Sequence, residues 1–146
     1  MLPGNSASNI DNIDDKTEVL PMVDEEKVKK ILIVDDNNLN IKVEAKLIAA
    51  LGHNVESANS GVEAINMVKS EKFDLIFMDI MMPMMDGVQT LHELKKIEGF
   101  NTPVVALTAD AVLGAKEKYL AEGFDLYVTK PANKDDFEEI IKKYVQ

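Results

Sequence analysis

From Lys29 onward the chain alternates between short unbroken apolar runs and longer stretches in which apolar residues recur every three or four positions. Ile31-Leu32-Ile33-Val34, Leu75-Ile76-Phe77-Met78 and Val104-Val105-Ala106-Leu107 contain no polar interruption. That pattern suits strands covered on both faces. Asn54 to Ala58 alternates weakly and reads as an edge strand, and Leu126-Tyr127-Val128 is the last strand. Between these runs the spacing predicts helices. Asn37 or Asn38 caps one that carries Ile41, Leu47, Ile48 and Leu51 and ends at Gly52. Ser60 caps a second, with Val62, Ile65, Met67 and Val68. A loop with Pro83 and Gly87 leads into a third, from about Val88 to Ile97. A fourth, with Val112, Leu113, Tyr119 and Leu120, stops at Gly123, and after Pro131 an amphipathic fifth carries Phe137, Ile140, Ile141 and Tyr144. Five strands alternating with five helices predict an α/β fold, a parallel five-stranded sheet doubly wound in the order 2-1-3-4-5 with helices on both faces.

Residues 1–28 do not share this pattern. The stretch is rich in Asn, Ser and Asp, with Asp11, Asp14, Asp15, Asp24, Glu25 and Glu26 against Lys16. It reads as a flexible acidic tail or linker, with a weakly supported short helix from Asn9 to Val19, ahead of one domain over 29–146. Composition narrows the chemistry. The formal net charge is -10, which opposes direct binding to nucleic acid or anionic membranes. All 16 basic residues are lysine, so the bidentate guanidinium clamp for phosphate is missing. Phosphate chemistry here must rest on lysine, hydroxyls, backbone N–H groups or a metal. Zero cysteines rule out disulfides, thiolate metal sites and cysteine nucleophiles. No apolar run approaches the ~20 residues of a membrane span, and no secretory signal is visible, so a cytoplasmic location is expected.

The polar residues that follow the buried strands carry the candidate chemistry. The first strand ends in Asp35-Asp36, the third in Asp79, the fourth in Thr108 and the fifth in Thr129-Lys130. In a parallel sheet these ends share one edge, and ligands bind there where strand order reverses, between strands one and three. Three crowded carboxylates repel one another, and a hard divalent cation such as Mg²⁺ or Mn²⁺ relieves the repulsion. Such an ion also neutralises phosphoryl oxygens. Asp79 is the natural nucleophile, since carboxylates form acyl phosphates. Lys130 supplies a point charge and Thr108 a hydroxyl donor. Each residue also has a bland reading: Asp36 or Thr108 as a helix cap, Lys130 as a solvated lysine, Tyr127 as a core tyrosine. His53 and His92 read as surface residues. Met78, Met81, Met82, Met84 and Met85 read partly as core filler and partly as an apolar rim for a docking helix.

Four segments together resemble the receiver domains of two-component response regulators: Asp35-Asp36, the run from Met78 through Asp79 and Pro83 to Gly87, Leu107-Thr108-Ala109, and Tyr127-Val128-Thr129-Lys130-Pro131. The resemblance implies a flavodoxin-like fold and a phosphorelay switch. Asp79 would be the phospho-acceptor. Asp36, Asp79 and the backbone carbonyl of Met81 would hold Mg²⁺, with Asp35 acting mainly through water. Lys130 would pair with Asp79 or its phosphate, ahead of a cis bond to Pro131. Thr108 and Tyr127 would couple the chemistry to the surface of helix four, strand five and helix five. The phosphodonor would be a histidine kinase or histidine phosphotransfer domain, and a phosphorylation-dependent dimer is a further expected partner. The domain would assist its own phosphorylation and hydrolysis without being an enzyme in its own right. Asp36-Asn37-Asn38-Leu39-Asn40 leans toward receivers fused to sensor kinases. The tail is then a linker from an upstream kinase; the alternative is a free-standing receiver.

Three rivals stand beside this reading. A haloacid-dehalogenase-type hydrolase places its nucleophile after strand one with a second aspartate two residues on, which Asp35-Asp36-Asn37-Asn38 does not match. A flavodoxin-like cofactor binder needs a phosphate-cradling loop where these acidic residues stand. A degenerate receiver acting only as a binding module would not need the complete acidic set.

Overall fold

A computed structural model describes residues 28–109 and 111–145. The expected tail, residues 1–28, and the short helix within it lie outside the described residues except for Val28. The elements run β1 (Lys30–Val34), α1 (Asn38–Ala50), β2 (Asn54–Ala58), α2 (Gly61–Ser70), β3 (Leu75–Met78), α3 (Gly87–Lys95), β4 (Val104–Thr108), α4 (Ala115–Glu122), β5 (Leu126–Thr129) and α5 (Lys134–Tyr144). All strands are parallel, in the order β2-β1-β3-β4-β5. The doubly wound architecture read from the periodicity is therefore the observed one, and it is flavodoxin-like, as the resemblance implies.

The unbroken apolar runs are explained by burial on both sides of the sheet. Leu32, Val34, Ile76, Met78, Val104 and Ala106 face one layer, where they meet Ala64 of α2, Leu91 and Leu94 of α3, and Tyr119 of α4. Ile31, Ile33, Leu75, Phe77, Val105 and Leu107 face the other, against Ile41 and Ile48 of α1 and Phe137, Ile140 and Ile141 of α5. Alternate residues of a strand point to opposite faces, so a strand clad twice needs every position apolar. Each fully buried Leu, Ile, Val or Phe contributes about 1.5–3 kcal/mol. Phe77 and Phe137 add an edge-on ring contact, centroids 5.1 Å apart, that ties β3 to α5.

The helices start where the capping residues dictate. Asn37 accepts from the N–H groups of Leu39 and Asn40, and Ser60 from that of Glu63. Asp86 with Gln89, and Asn133 with Asp136, form reciprocal capping boxes. Gly52 follows α1 with φ +95, and Gly123 ends α4 with φ +118, backbone conformations that glycine adopts without a Cβ penalty.

One expectation is corrected. The fourth helix does not include Val112 and Leu113. It begins at Ala115, because Gly114 just before it takes a left-handed φ of +87 that breaks the helical path. Val112 and Leu113 are 70% and 100% exposed in the preceding loop. Val62 lies in α2 as expected, on its exposed side. That helix turns Ala64 inward, with Ile65, Met67 and Val68 packed at the margin.

Candidate functional site

The C-terminal ends of β1 and β3 are neighbours in the sheet, with Val34 opposite Met78. The next residue of each chain segment is an aspartate. The Asp79 N–H still donates to the Val34 carbonyl at 2.9 Å, so the parallel ladder extends one residue and fixes where its side chain emerges. Asp35 is held likewise, its N–H on the Ala58 carbonyl at 3.1 Å. Its carboxylate accepts from the N–H of Asn37 at 2.9 Å and from the side-chain amide of Asn40 at 3.4 Å. The start of α1 therefore braces it. Asp36 is exposed beside it.

Carboxylate oxygens of Asp35, Asp36 and Asp79 lie within 4.8 Å of one another. Asp35 and Asp79 are buried and Asp36 faces solvent. Across them stands Lys130, brought in by β5, whose N–H donates to the Thr108 carbonyl at 2.9 Å. Its Nζ donates to Asp35 at 2.7 Å and lies 3.8 Å from Asp79. The sequence resemblance implied pairing with Asp79; here the shorter contact goes to Asp35. The Lys130–Pro131 bond is cis.

The loop from β3 to α3 closes the other wall. The Met81 N–H donates to Asp79 at 3.3 Å while the Met81 side chain is exposed. The Gly87 N–H donates to the Ile80 carbonyl at 2.9 Å. A Cβ at Gly87 would sit 2.5 Å from the Asp79 carbonyl oxygen, so a side chain is excluded there by backbone. Of the clustered methionines, Met78 and Met82 are buried and Met81 and Met84 exposed. Thr108 is fully buried at the end of β4. Tyr127 is half-buried in β5 and stacks on Tyr119 of α4, centroids 5.9 Å apart. The histidines lie elsewhere: His53 accepts from the Lys29 N–H at 3.0 Å, and His92 contacts Glu122 at 3.0 Å.

The electrostatics follow from that crowding. Burial pushes the Asp79 carboxyl up to about 6, Lys130 works against this, and Asp35 adds to it. Burial opposes the Lys130 ammonium, but its hydrogen bond to Asp35 and the surrounding carboxylates outweigh that and hold its pKa above the usual lysine value. Asp79 ionised without a cation is thus unfavourable. The donor set fits a hard divalent metal: oxygen ligands only, two of them buried, and excess negative charge to offset.

Sequence reasoning missed Glu44. It is buried on α1 between Ile41 and Ile48, and burial, partly offset by Lys130, lifts its carboxyl to about 7. The signal was present, since Ile41, Glu44 and Ile48 fall at helical spacing on one stripe. Thr90 was also missed; it is fully buried and its hydroxyl donates to the Asp86 carbonyl at 2.7 Å.

Comparison with known proteins agrees with this geometry. A segment of Hybrid signal transduction histidine kinase G of Dictyostelium discoideum is 42% identical over 119 residues, covering 79% of this chain and 4% of that protein. A segment of the signal transduction histidine-protein kinase BarA of Escherichia coli K12 is 38% identical over 130 residues, covering 86% of this chain and 14% of that protein. The chain thus spans a small part of the length of the curated relatives it matches. Among solved structures, the receiver domain of sensor histidine kinase PA1611 from Pseudomonas aeruginosa, with a magnesium ion in its active-site cleft, superposes with a TM-score of 0.74 at 30% identity. That match covers 81% of this chain and 98% of the other. Residues 31–142 match the family model of the response regulator receiver domain. With the strand order, the acidic edge and these relatives in agreement, the chain belongs to the response regulator receiver domain family of two-component signalling.

Proposed function

We propose that this domain accepts a phosphoryl group on Asp79 from a phosphohistidine of a histidine kinase or histidine phosphotransfer domain. The observation that carries the reading is the cluster of Asp35, Asp36 and Asp79 oxygens within 4.8 Å of one another, facing Lys130. An Asp79 oxygen forms the new bond to phosphorus as the phosphorus–nitrogen bond breaks, and the histidine ring keeps the electron pair and takes a proton. Asp36, Asp79 and the Met81 carbonyl would hold Mg²⁺, or Mn²⁺ in its place, with Asp35 supporting them. When bound, the ion would supply charge neutralisation for the transferring oxygens. Lys130 and the Thr108 hydroxyl contact the bound phosphoryl group. Water attack on phosphorus later restores the Asp79 carboxylate.

The response travels through Thr108 and Tyr127 to the α4-β5-α5 surface, where a phosphorylation-dependent dimer or other partner reads it. Residues 1–28 act as the linker to the rest of a longer signalling protein, of the hybrid-kinase kind. In this reading the domain works in the cytoplasm, alongside the histidine kinase or phosphotransfer domain that serves it. A net charge of -10 argues against direct contact with nucleic acid. No helix among the described residues is long and apolar enough to cross a membrane.

Acetyl phosphate with Mg²⁺ provides the test. Intact-mass analysis should find one added phosphoryl group on the wild-type chain and none on Asp79→Asn. A shift that persists in that variant would move the acceptor to another residue.

A further inference from the structure

Of the three clustered carboxylates, Asp36 is the one that nothing grips directly. Asp35 accepts from the Asn37 N–H at 2.9 Å, the Asn40 amide at 3.4 Å and Lys130 at 2.7 Å, and Asp79 accepts from the Met81 N–H at 3.3 Å. Asp36 is exposed, and among the described residues its side chain has no hydrogen bond and no ion pair. It sits in the joint between β1 and α1, so the direction of its carboxylate depends on how firmly that joint is held.

Two consecutive residues at the end of β2 hold the chain on either side of Asp36. On one side the Ala58 carbonyl accepts from the Asp35 N–H at 3.1 Å. On the other, the side-chain amide of Asn59 donates to the side-chain oxygen of Asn38, the first residue of α1. Asn59 is fixed in turn from α2. Its N–H donates to the Glu63 carboxylate at 2.6 Å, and the Glu63 N–H donates to the capping hydroxyl of Ser60 at 3.1 Å. The start of α2 therefore decides where Asn59 stands, and Asn59 decides where α1 begins. Both asparagines are exposed, and ordering two exposed polar side chains against each other costs entropy. Left to solvation alone, they would not be paired.

We propose that Asn59 is a positioning residue of the acceptor site, latching α1 through Asn38 so that the Asp36 carboxylate stays within 4.8 Å of those of Asp35 and Asp79. The proposal rests on the reading of Asp35, Asp36 and Asp79 as the Mg²⁺ site. The latch acts before a cation arrives. With residues 35 and 38 both tied to the end of β2, Asp36 has little freedom left to lose on becoming a ligand. Without the tie at residue 38, ordering that joint would subtract from the free energy of cation binding.

Two measurements on the whole chain test this, using wild type, Asn59→Ala, Asn38→Ala and the variant carrying both changes. In metal-free protein, NMR relaxation should give lower order parameters at the Asp36 and Asn37 amides of every variant than in wild type, with those of α5 unchanged. Calorimetric titration with MgCl₂ should show each single variant binding about three- to fivefold more weakly than wild type, the scale of one hydrogen bond. The double variant should bind as either single variant does, because both changes break the same bond. Thermal unfolding in excess chelator confirms that the variants are folded, and if one single variant is not, the other decides. Wild-type affinity in a folded single variant, unchanged order parameters at Asp36, or a double variant weakened by the product of the two single effects overturns the role of Asn59 and leaves the acceptor reading intact. Absence of Mg²⁺ binding by the wild type, or binding that Asp79→Asn leaves unchanged, overturns the acceptor reading and this inference together.

Discussion

Removing the Asp79 carboxylate should make the metal-free domain more stable, and only where that carboxylate is charged. Asp79 is 7% exposed, and its carboxyl is raised from 3.8 to about 6, first by burial and then by Asp35. A carboxyl whose pKa rises on folding binds its proton more tightly in the folded state. Stability is then greatest below pH 3.8, falls as pH climbs through about 6, and levels off above it. The difference corresponds to about 3 kcal/mol between the two plateaus. Asp79→Asn removes the titration while keeping the shape, so at pH 8 in excess chelator it should gain about 2–3 kcal/mol over wild type. For a domain of this size that is on the order of 10 °C in Tm. At pH 4 the two proteins should unfold within about 0.5 kcal/mol of each other. Urea unfolding followed by far-UV circular dichroism at pH 4, 6 and 8 measures all three points. An equal gain at pH 4 and pH 8, or a loss at pH 8, would refute the argument that burial of the ionised Asp79 carboxyl dominates this edge of the sheet.

Two further substitutions probe the same wall. Lys130→Ala should still accept a phosphoryl group from acetyl phosphate but transmit it poorly, because the ammonium that contacts Asp35 at 2.7 Å and faces Asp79 at 3.8 Å is gone. Hydrogen-exchange differences between phosphorylated and free protein should shrink over α4 and β5, and differences as large as those of wild type would contradict this. Gly87→Ala forces a Cβ to within 2.5 Å of the Asp79 carbonyl oxygen and 2.8 Å of the Ile80 Cα. Backbone must yield, so stability should drop by roughly 1–3 kcal/mol, and an unchanged urea midpoint would show that the loop accommodates a methyl group.

The fold was legible because its strands are short and clad on both sides. Unbroken runs such as Leu75 to Met78 have few other uses, and caps such as Ser60 and glycines such as Gly123 punctuate the helices between them. The positions of Asp35, Asp36, Asp79, Thr108 and Lys130 followed from strand ends alone, since a parallel sheet gathers those ends along one edge. What the sequence hid was any feature set by three-dimensional surroundings. Glu44 looks like a solvated helix residue until the stripe it shares with Ile41 and Ile48 is seen to face the core. The start of α4 was misread because Val112 and Leu113 continue an apolar spacing that Gly114 interrupts by geometry, not by polarity. The preference of Lys130 for Asp35 over Asp79 depends on side-chain reach, which spacing does not encode.

The uneven anchoring of the last two helices has a mechanical consequence. α5 is riveted through Phe137, Ile140 and Ile141, whereas α4 commits only Ala115 and Tyr119 to the interior. Displacing α4 sacrifices little oily contact; displacing α5 would tear open half the molecule. If the acidic edge switches as proposed, the motion is expected to spend itself on α4 and on the stacking of its Tyr119 on Tyr127, while α5 stays put as the bearing against which that motion turns.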